Sequence, residues 1–140
     1  MQINSTRRSI LVTGGLGFIG FNALQLWRRL RPNWKIVVVD IETYAAQFKL
    51  NEKKTWCKDN GIDVENYDIY DPYEEQLPTE NRVNHIERII NVNGIDTIVN
   101  FAAESHVDNS ILSPHVFYNT NIIGTANLLE LARKYNLRYH

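Results

Sequence analysis

Cysteine is nearly absent from this chain of 140 residues, in which Cys57 stands alone. A single cysteine forms no internal disulfide, so the sequence does not belong to the disulfide-stapled secreted class. This usage favours a reducing compartment, and we predict a cytoplasmic location. We expect Cys57 itself to be a packing residue without chemistry.

Long apolar runs and an excess of one charge are also lacking. No run of roughly 18 apolar residues occurs, which predicts no membrane span, and the polar start of the chain is unlike a secretory leader. The formal net charge is −1, and no basic stripe accompanies the three tryptophans. These absences argue against nucleic acid and anionic membranes as partners.

Glycine is scarce too, but it is concentrated where it is informative. Gly14, Gly17 and Gly20 are evenly spaced, directly after the apolar run 10–12 and directly before a helical pattern. One glycine permits a tight turn, one lets main-chain N–H groups reach a pyrophosphate, and one lets helix pack closely on strand. The phosphates would lie at the positive end of the helix. The spacing predicts a dinucleotide-binding loop.

Strand and helix patterns alternate along the chain. The predicted strands are 10–12, 36–39, 62–68 and 97–101, with a fifth beginning at 137–140, and the predicted helices are 19–31, 46–59, 79–93 and 113–136. Right-handed crossovers then give a parallel sheet in the order 3-2-1-4 with helices on both faces. We predict a doubly wound, Rossmann-like α/β fold, with residues 1–140 forming one incomplete dinucleotide-binding domain.

Asp40 closes the second predicted strand, 20 residues after Gly20. A carboxylate at this place can accept hydrogen bonds from the adenosine ribose and repels a 2′-phosphate. Glu42 adds negative charge, and no arginine or lysine lies beside Asp40 in the sequence. The pattern favours NAD over NADP. A turn or cap role for Asp40 is the alternative interpretation.

The third predicted strand also ends in a candidate ligand. Asp68 is followed by Ile69, so a carboxylate and a main-chain amide stand where an adenine could lie. A simple strand-end turn before Asp71 and Pro72 is equally consistent with these residues.

The run 101–108 follows the fourth predicted strand, at the switch point where doubly wound sheets hold their ligands. Its two alanines let the chain pass close to a cofactor, and Ser105 offers a hydroxyl to a phosphate or sugar. Glu104, His106 and Asp108 are possible metal ligands, but no fourth ligand is evident. We therefore expect no metal site.

These motifs together resemble the extended short-chain dehydrogenases/reductases, and among them the dTDP-glucose 4,6-dehydratases. The matching segments span nearly the whole chain: 12–20, Asp40 with 43–45, 68–69, 102–111 and 120–125. The run Ala-Ala-Glu-Ser-His-Val-Asp is far more particular to the 4,6-dehydratases than the glycine loop is. The chain departs from the family pattern at Phe21, at 41–42, at 46–47 and at Asn109, which leaves its nucleotide preference open.

The resemblance implies a set of NAD contacts along the chain. Besides the glycines, these are Phe18, Ile19, Asp40, Ile41, Glu42, Thr43, Asp68, Ile69, Phe101, Ala102, Ala103, Glu104, Ser105 and Thr120, and Ser105 would also contact the sugar nucleotide. In such enzymes NAD takes a hydride from C4 of the hexose, water leaves across C5 and C6, and the hydride returns to C6.

The proton-transfer groups that such dehydratases use do not occur in these 140 residues. Neither Tyr-x-x-x-Lys nor Thr-Asp-Glu is found, so we assign no catalytic residue. We expect the NAD-binding part of a sugar-nucleotide 4,6-dehydratase, inactive alone and without the C-terminal catalytic and substrate part. The alternatives are a non-catalytic NAD-binding or interaction module and a sugar-nucleotide epimerase. We also expect a homodimer through the 113–136 helix.

Overall fold

The computed structural model describes residues 7–70 and 84–140. Five strands form one parallel sheet in the order β3-β2-β1-β4-β5: β1 Ser9–Thr13, β2 Lys35–Val39, β3 Asp63–Glu65, β4 Thr97–Asn100 and β5 Arg138–Tyr139. The predicted order and the predicted fifth strand are confirmed. Strand β3 is shorter than the predicted 62–68, because its main-chain hydrogen bonding to the β2 side ends with the bond from Asp40 N to Glu65 O.

The helices connect these strands. They are α1 Phe18–Leu30, α2 Leu50–Asp59, α3 His85–Asn93, α4 Val107–Leu112, α5 Pro114–Phe117 and α6 Thr125–Tyr135, with a π-helical segment Tyr118–Gly124 between α5 and α6. Within the described residues, none of the helices has the length and apolarity that a membrane crossing requires.

Three helix predictions need correction. The helix predicted for 46–59 begins only at Leu50, since turns end at Ala46 and Gln47 and Lys49 has a left-handed φ of 54°. The helix predicted for 79–93 begins at His85, capped by Asn84, and its predicted first residues 79–83 lie outside the described residues. The predicted 113–136 helix contains the π-helical segment, and α4 before it was not predicted.

The core lies on both faces of the sheet, because alternate residues of each strand point to opposite sides. Leu11, Val37 and Ile98 pack on α3 and α6, whereas Val12 and Val38 pack on α1 and α2. Cys57 is buried in the second cluster, and burial raises the pKa of its thiol to about 11. The thiol therefore stays protonated at neutral pH, as expected of a packing residue.

Candidate functional site

A cleft opens at the carboxyl edge of the sheet, where β1, β2 and β4 end side by side. It encloses about 540 Å³ of space, including solvent at its mouth. The structure brings together in its walls most of the predicted contacts: Gly14, Gly17, Asp40, Ile41, Thr43, Asp68, Ile69, Phe101, Ala102, Ala103, Glu104 and Thr120. Val39, Ala45, Ala46 and Tyr67 also line it, and sequence reasoning did not select them as contacts.

Five predicted contact residues do not line the cleft. The side chains of Phe18 and Ile19 are 82% and 66% exposed at the start of α1. Gly20 is buried within α1, Glu42 is half-buried, and Ser105 is exposed.

The glycine loop joins β1 to α1 by a turn that only glycine fits. Gly14 has a φ of 67°, and a Cβ atom there would lie 2.5 Å from the main-chain nitrogen of Ala102. A Cβ atom on Gly20 would collide with the carbonyl oxygen of Gly14. The close contact of α1 is therefore with the glycine loop itself, whereas the sequence predicted contact with the strand. Gly17 precedes α1 without any side-chain cap on the helix, which leaves the positive end of α1 available to an anion.

Asp40 is 8% exposed at the end of β2 and holds two main-chain amides. Its Oδ2 accepts from Leu16 N at 2.9 Å, and its Oδ1 accepts from Glu42 N at 2.8 Å. The turn-forming alternative is therefore realised in the structure. Each carboxylate oxygen retains further acceptor capacity, so the same group can also bind a ribose hydroxyl at the cleft.

A lysine lies closer to this region than the sequence suggested. Lys54 Nζ lies 2.5 Å from Glu42 Oε1, although the two residues are 12 positions apart in the sequence. The ion pair offsets the negative charge of Glu42, so repulsion of a 2′-phosphate falls mainly to Asp40.

The third strand end forms one wall of the cleft. Asp68 Oδ1 accepts from Tyr70 N at 2.8 Å, which is the strand-end turn considered from the sequence, and Asp68 also lines the cleft. Asn127 of α6 donates to the carbonyl oxygens of Ile69 and Tyr70 at 3.0 and 2.9 Å. Helix α6 thus fixes the wall at which an adenine was predicted.

The opposite wall follows β4 and is held from the π-helical segment. Asn121 accepts from Glu104 N and donates to Glu104 O, both at 2.8 Å, and thus pairs with this residue as a strand would. Tyr44 OH donates to Glu104 Oε2 at 3.0 Å, and partial burial together with this carboxylate raises the pKa of Tyr44. Sequence reasoning assigned no role to Asn121 or Tyr44, although both stand in the matched motifs.

Of the possible metal ligands Glu104, His106 and Asp108, Glu104 accepts a hydrogen bond from Tyr44 through its carboxylate. In the described part of the chain, no three histidine, cysteine, aspartate or glutamate side chains are grouped to hold a metal ion.

Comparisons with known proteins add family information. A profile of the family described as GDP-mannose 4,6 dehydratase matches residues 11–140. The dTDP-glucose 4,6-dehydratase of Mycobacterium tuberculosis is 36% identical over 132 residues, which cover 94% of this chain and 34% of that protein. The chain therefore spans about a third of the length of the curated relatives it matches.

Solved structures are similar over the same region. The Bacillus anthracis dTDP-glucose 4,6-dehydratase in complex with NAD superposes with a TM-score of 0.73 at 32% identity, covering 94% of this chain and 36% of that one. The Thermotoga maritima UDP-glucose 4-epimerase with UDP-glucose superposes with a TM-score of 0.69 at 27% identity, covering 92% and 35%.

Proposed function

The chain belongs to the GDP-mannose 4,6 dehydratase family, and on that premise we propose that its cleft binds NAD as the coenzyme-binding part of a sugar-nucleotide 4,6-dehydratase. One observation carries the proposal. The left-handed Gly14 brings the loop against Ala102, the first turn of α1 has no side-chain cap, and Asp40 lies at the neighbouring strand end, all around one cleft. This is the arrangement that a dinucleotide requires.

Different residues bind the diphosphate, the ribose and the adenine of the coenzyme. Main-chain N–H groups at the start of α1 hold the diphosphate, Asp40 accepts from the adenosine ribose, and Asp68 with Ile69 faces the adenine. Ala102 and Ala103 leave room for the coenzyme along the floor, since their side chains are small. Bound NAD would supply a hydride acceptor for the sugar.

A dTDP-hexose is the substrate we propose for the whole enzyme, with Ser105 contacting it. Among the superposed structures the identity is 32% to the Bacillus anthracis dehydratase and 27% to the Thermotoga maritima epimerase, and this difference favours dehydration over epimerisation. The run 102–108 favours it as well. The 140 residues contain no Tyr-x-x-x-Lys pair, so alone they bind NAD without turning over a sugar nucleotide.

We also propose a homodimer that forms through the helices of 113–136. The outward side of this region exposes Ile122 by 60%, Leu129 by 47% and Ile123 by 43%. Apolar side chains grouped on one helical face are typical of a protein interface. The cytoplasmic location stays a prediction.

A calorimetric titration with NAD tests the coenzyme proposal. We expect the chain to bind NAD and Asp40→Ala to weaken binding by about 1–3 kcal/mol, because charge-assisted hydrogen bonds are lost. Asp63→Ala is the matched control, since this exposed aspartate is the first residue of β3 and therefore lies at the amino end of the parallel strands, away from the cleft. Absence of NAD binding to the folded wild-type chain would contradict the proposal, and equal effects of the two variants would contradict the role of Asp40.

A further inference from the structure

Lys53 is a lysine that the fold buries beside the glycine loop. It lies in α2, is 9% exposed, and donates from Nζ to Leu16 O at 2.7 Å and to Ala46 O at 3.2 Å. In residues 7–70 and 84–140 no carboxylate forms an ion pair with it. Burying an ammonium group without an anion is costly, and two carbonyl oxygens compensate only part of that cost.

The Leu16 main chain is held from both sides. Asp40 Oδ2 accepts from its N–H at 2.9 Å, and Lys53 donates to its carbonyl oxygen at 2.7 Å. These two groups belong to successive peptide units, Gly15–Leu16 and Leu16–Gly17. The second unit leads directly into α1, which begins at Phe18. A charged side chain therefore holds each of these two peptide planes.

Lys53 also joins two walls of the cleft. Its second acceptor, Ala46, lies in the connection between β2 and α2, and both Ala46 and Gly17 line the cleft. The bond to Ala46 O is the longer of the two, so the lysine acts mainly on the glycine loop. It places a positive charge on the Leu16 carbonyl, two residues before the start of α1.

We propose that Lys53 is a positioning residue for the coenzyme's diphosphate. It holds the Leu16–Gly17 peptide while Asp40 holds the Gly15–Leu16 peptide, and its positive charge favours the anion. The proposal rests on the proposed function and adds to it the residue that pre-organises the loop. Contact between Lys53 and the nucleoside end of the ligand forms no part of this role.

Paired titrations with NAD and with adenosine, followed by NMR, test this role. Adenosine has no diphosphate, so it reports on the Asp40 and Asp68 side alone. We expect Lys53→Met to weaken NAD binding at least fivefold and adenosine binding less than twofold. Lys58→Met is the control, because this exposed lysine lies in the same helix and contributes nothing to the cleft. We expect it to change neither affinity.

A merely structural role would lower both affinities equally or change only the melting temperature, and either result overturns the proposal. If Lys53→Met does not fold, Lys53→Gln, which keeps one donor group, serves in the same comparison.

Amide hydrogen exchange without any ligand separates this proposal from the proposed function. Gly17 N donates to Gly14 O at 3.2 Å, and we expect exchange of this amide to quicken at least tenfold in Lys53→Met, because its peptide unit is no longer held by the lysine and this bond opens more often. Unchanged exchange there overturns the Lys53 role even if the wild-type chain binds NAD. If exchange is faster but the wild-type chain binds no NAD, the proposed function is contradicted. The hold of Lys53 on the Leu16–Gly17 peptide is then still supported.

Discussion

At the scale of single residues, the position of Gly14 beside the cleft requires glycine for two reasons, its left-handed φ and the lack of room for a Cβ atom. Gly14 and Gly61 have nearly the same left-handed φ, 67° and 63°. A Cβ atom on Gly14 would meet the main chain of Phe101 and Ala102, whereas a Cβ atom on Gly61 would meet nothing within 4 Å. The two positions therefore separate the strain of the backbone angle from that of a blocked approach.

The comparison of Gly14→Ala with Gly61→Ala makes this separation measurable. We expect Gly61→Ala to lower the free energy of unfolding by about 1–2 kcal/mol, the cost of a left-handed alanine. Gly14→Ala should lower it by about 1–3 kcal/mol more, because backbone cannot yield as a side chain can. Urea denaturation of both variants provides the measurement. Equal losses would show that Ala102 does not crowd Gly14.

At the scale of elements, one continuous helical region organises both walls of the cleft. Asn121 in the π-helical segment pairs with the main chain of Glu104, and Asn127 in α6 holds the carbonyl oxygens of Ile69 and Tyr70. Gly124 lies between them, where a Cβ atom would be 2.6 Å from Ile69 Cγ1. Movement of this region would therefore displace the adenine-side wall and the opposite wall together.

Helix α6 is in turn tied to α3 through Glu87. Hydrogen bonds from Lys134 and from Tyr135, whose hydroxyl lies 2.5 Å from Glu87 Oε1, lower the pKa of this carboxyl. A lowered folded-state pKa stabilises the fold above the unfolded value of about 4.3, and the contribution is lost as the pH falls through the folded-state value.

Denaturation of the wild-type chain and of Glu87→Gln, each between pH 3 and pH 7, should reveal this dependence. We expect Glu87→Gln to lose stability of at most about 1 kcal/mol at pH 7, since Lys134 is largely exposed, and to lose less at pH 3. Glu130→Gln is the control, because its partner Arg133 lies in the same helix and both are exposed. A difference between wild type and Glu87→Gln that grows as the pH falls would contradict the assignment.

At the scale of the whole molecule, the apolar residues of the 113–136 region cover two surfaces. Leu128, Leu131 and Ala132 are buried against the sheet, whereas Ile122 and Leu129 point outward. The inner side is explained by the core, but the outer side exposes apolar area that a second copy of the chain would bury.

Sedimentation velocity over a range of concentrations tests this proposed dimer. We expect Ile122→Glu to weaken association at least tenfold, which corresponds to about 1.4 kcal/mol. Val92→Glu places the same charge on α3 at a side chain that is 75% exposed, and it should leave association unchanged. A wild-type chain that stays monomeric at every concentration, or an equal effect of Val92→Glu, would exclude this interface.

Much of the fold was predictable because its signals are local. The β-branched run 36–39 indicates a strand buried on both faces, and Gly14 shows where a turn needs a left-handed residue. Strand order then follows from alternation and crossover handedness, which leave few arrangements. Helix limits were predicted less well, because Ala46 is held by Lys53 of α2 and the π-helical segment pairs with Glu104 through Asn121, and these are contacts with distant residues.

By itself, then, the sequence determined the parallel sheet, the glycine loop and the strand end that carries Asp40. Only the tertiary structure decided how that loop is held. Lys53 and Lys54 are adjacent and alike in the sequence, yet one is buried against Leu16 and the other pairs with Glu42. Asn127 donates to Ile69 and Tyr70, which lie 58 and 57 positions earlier in the chain. The physical reason is that periodicity reports which face of an element is apolar, whereas a polar side chain's partner depends on which distant segment folding places beside it.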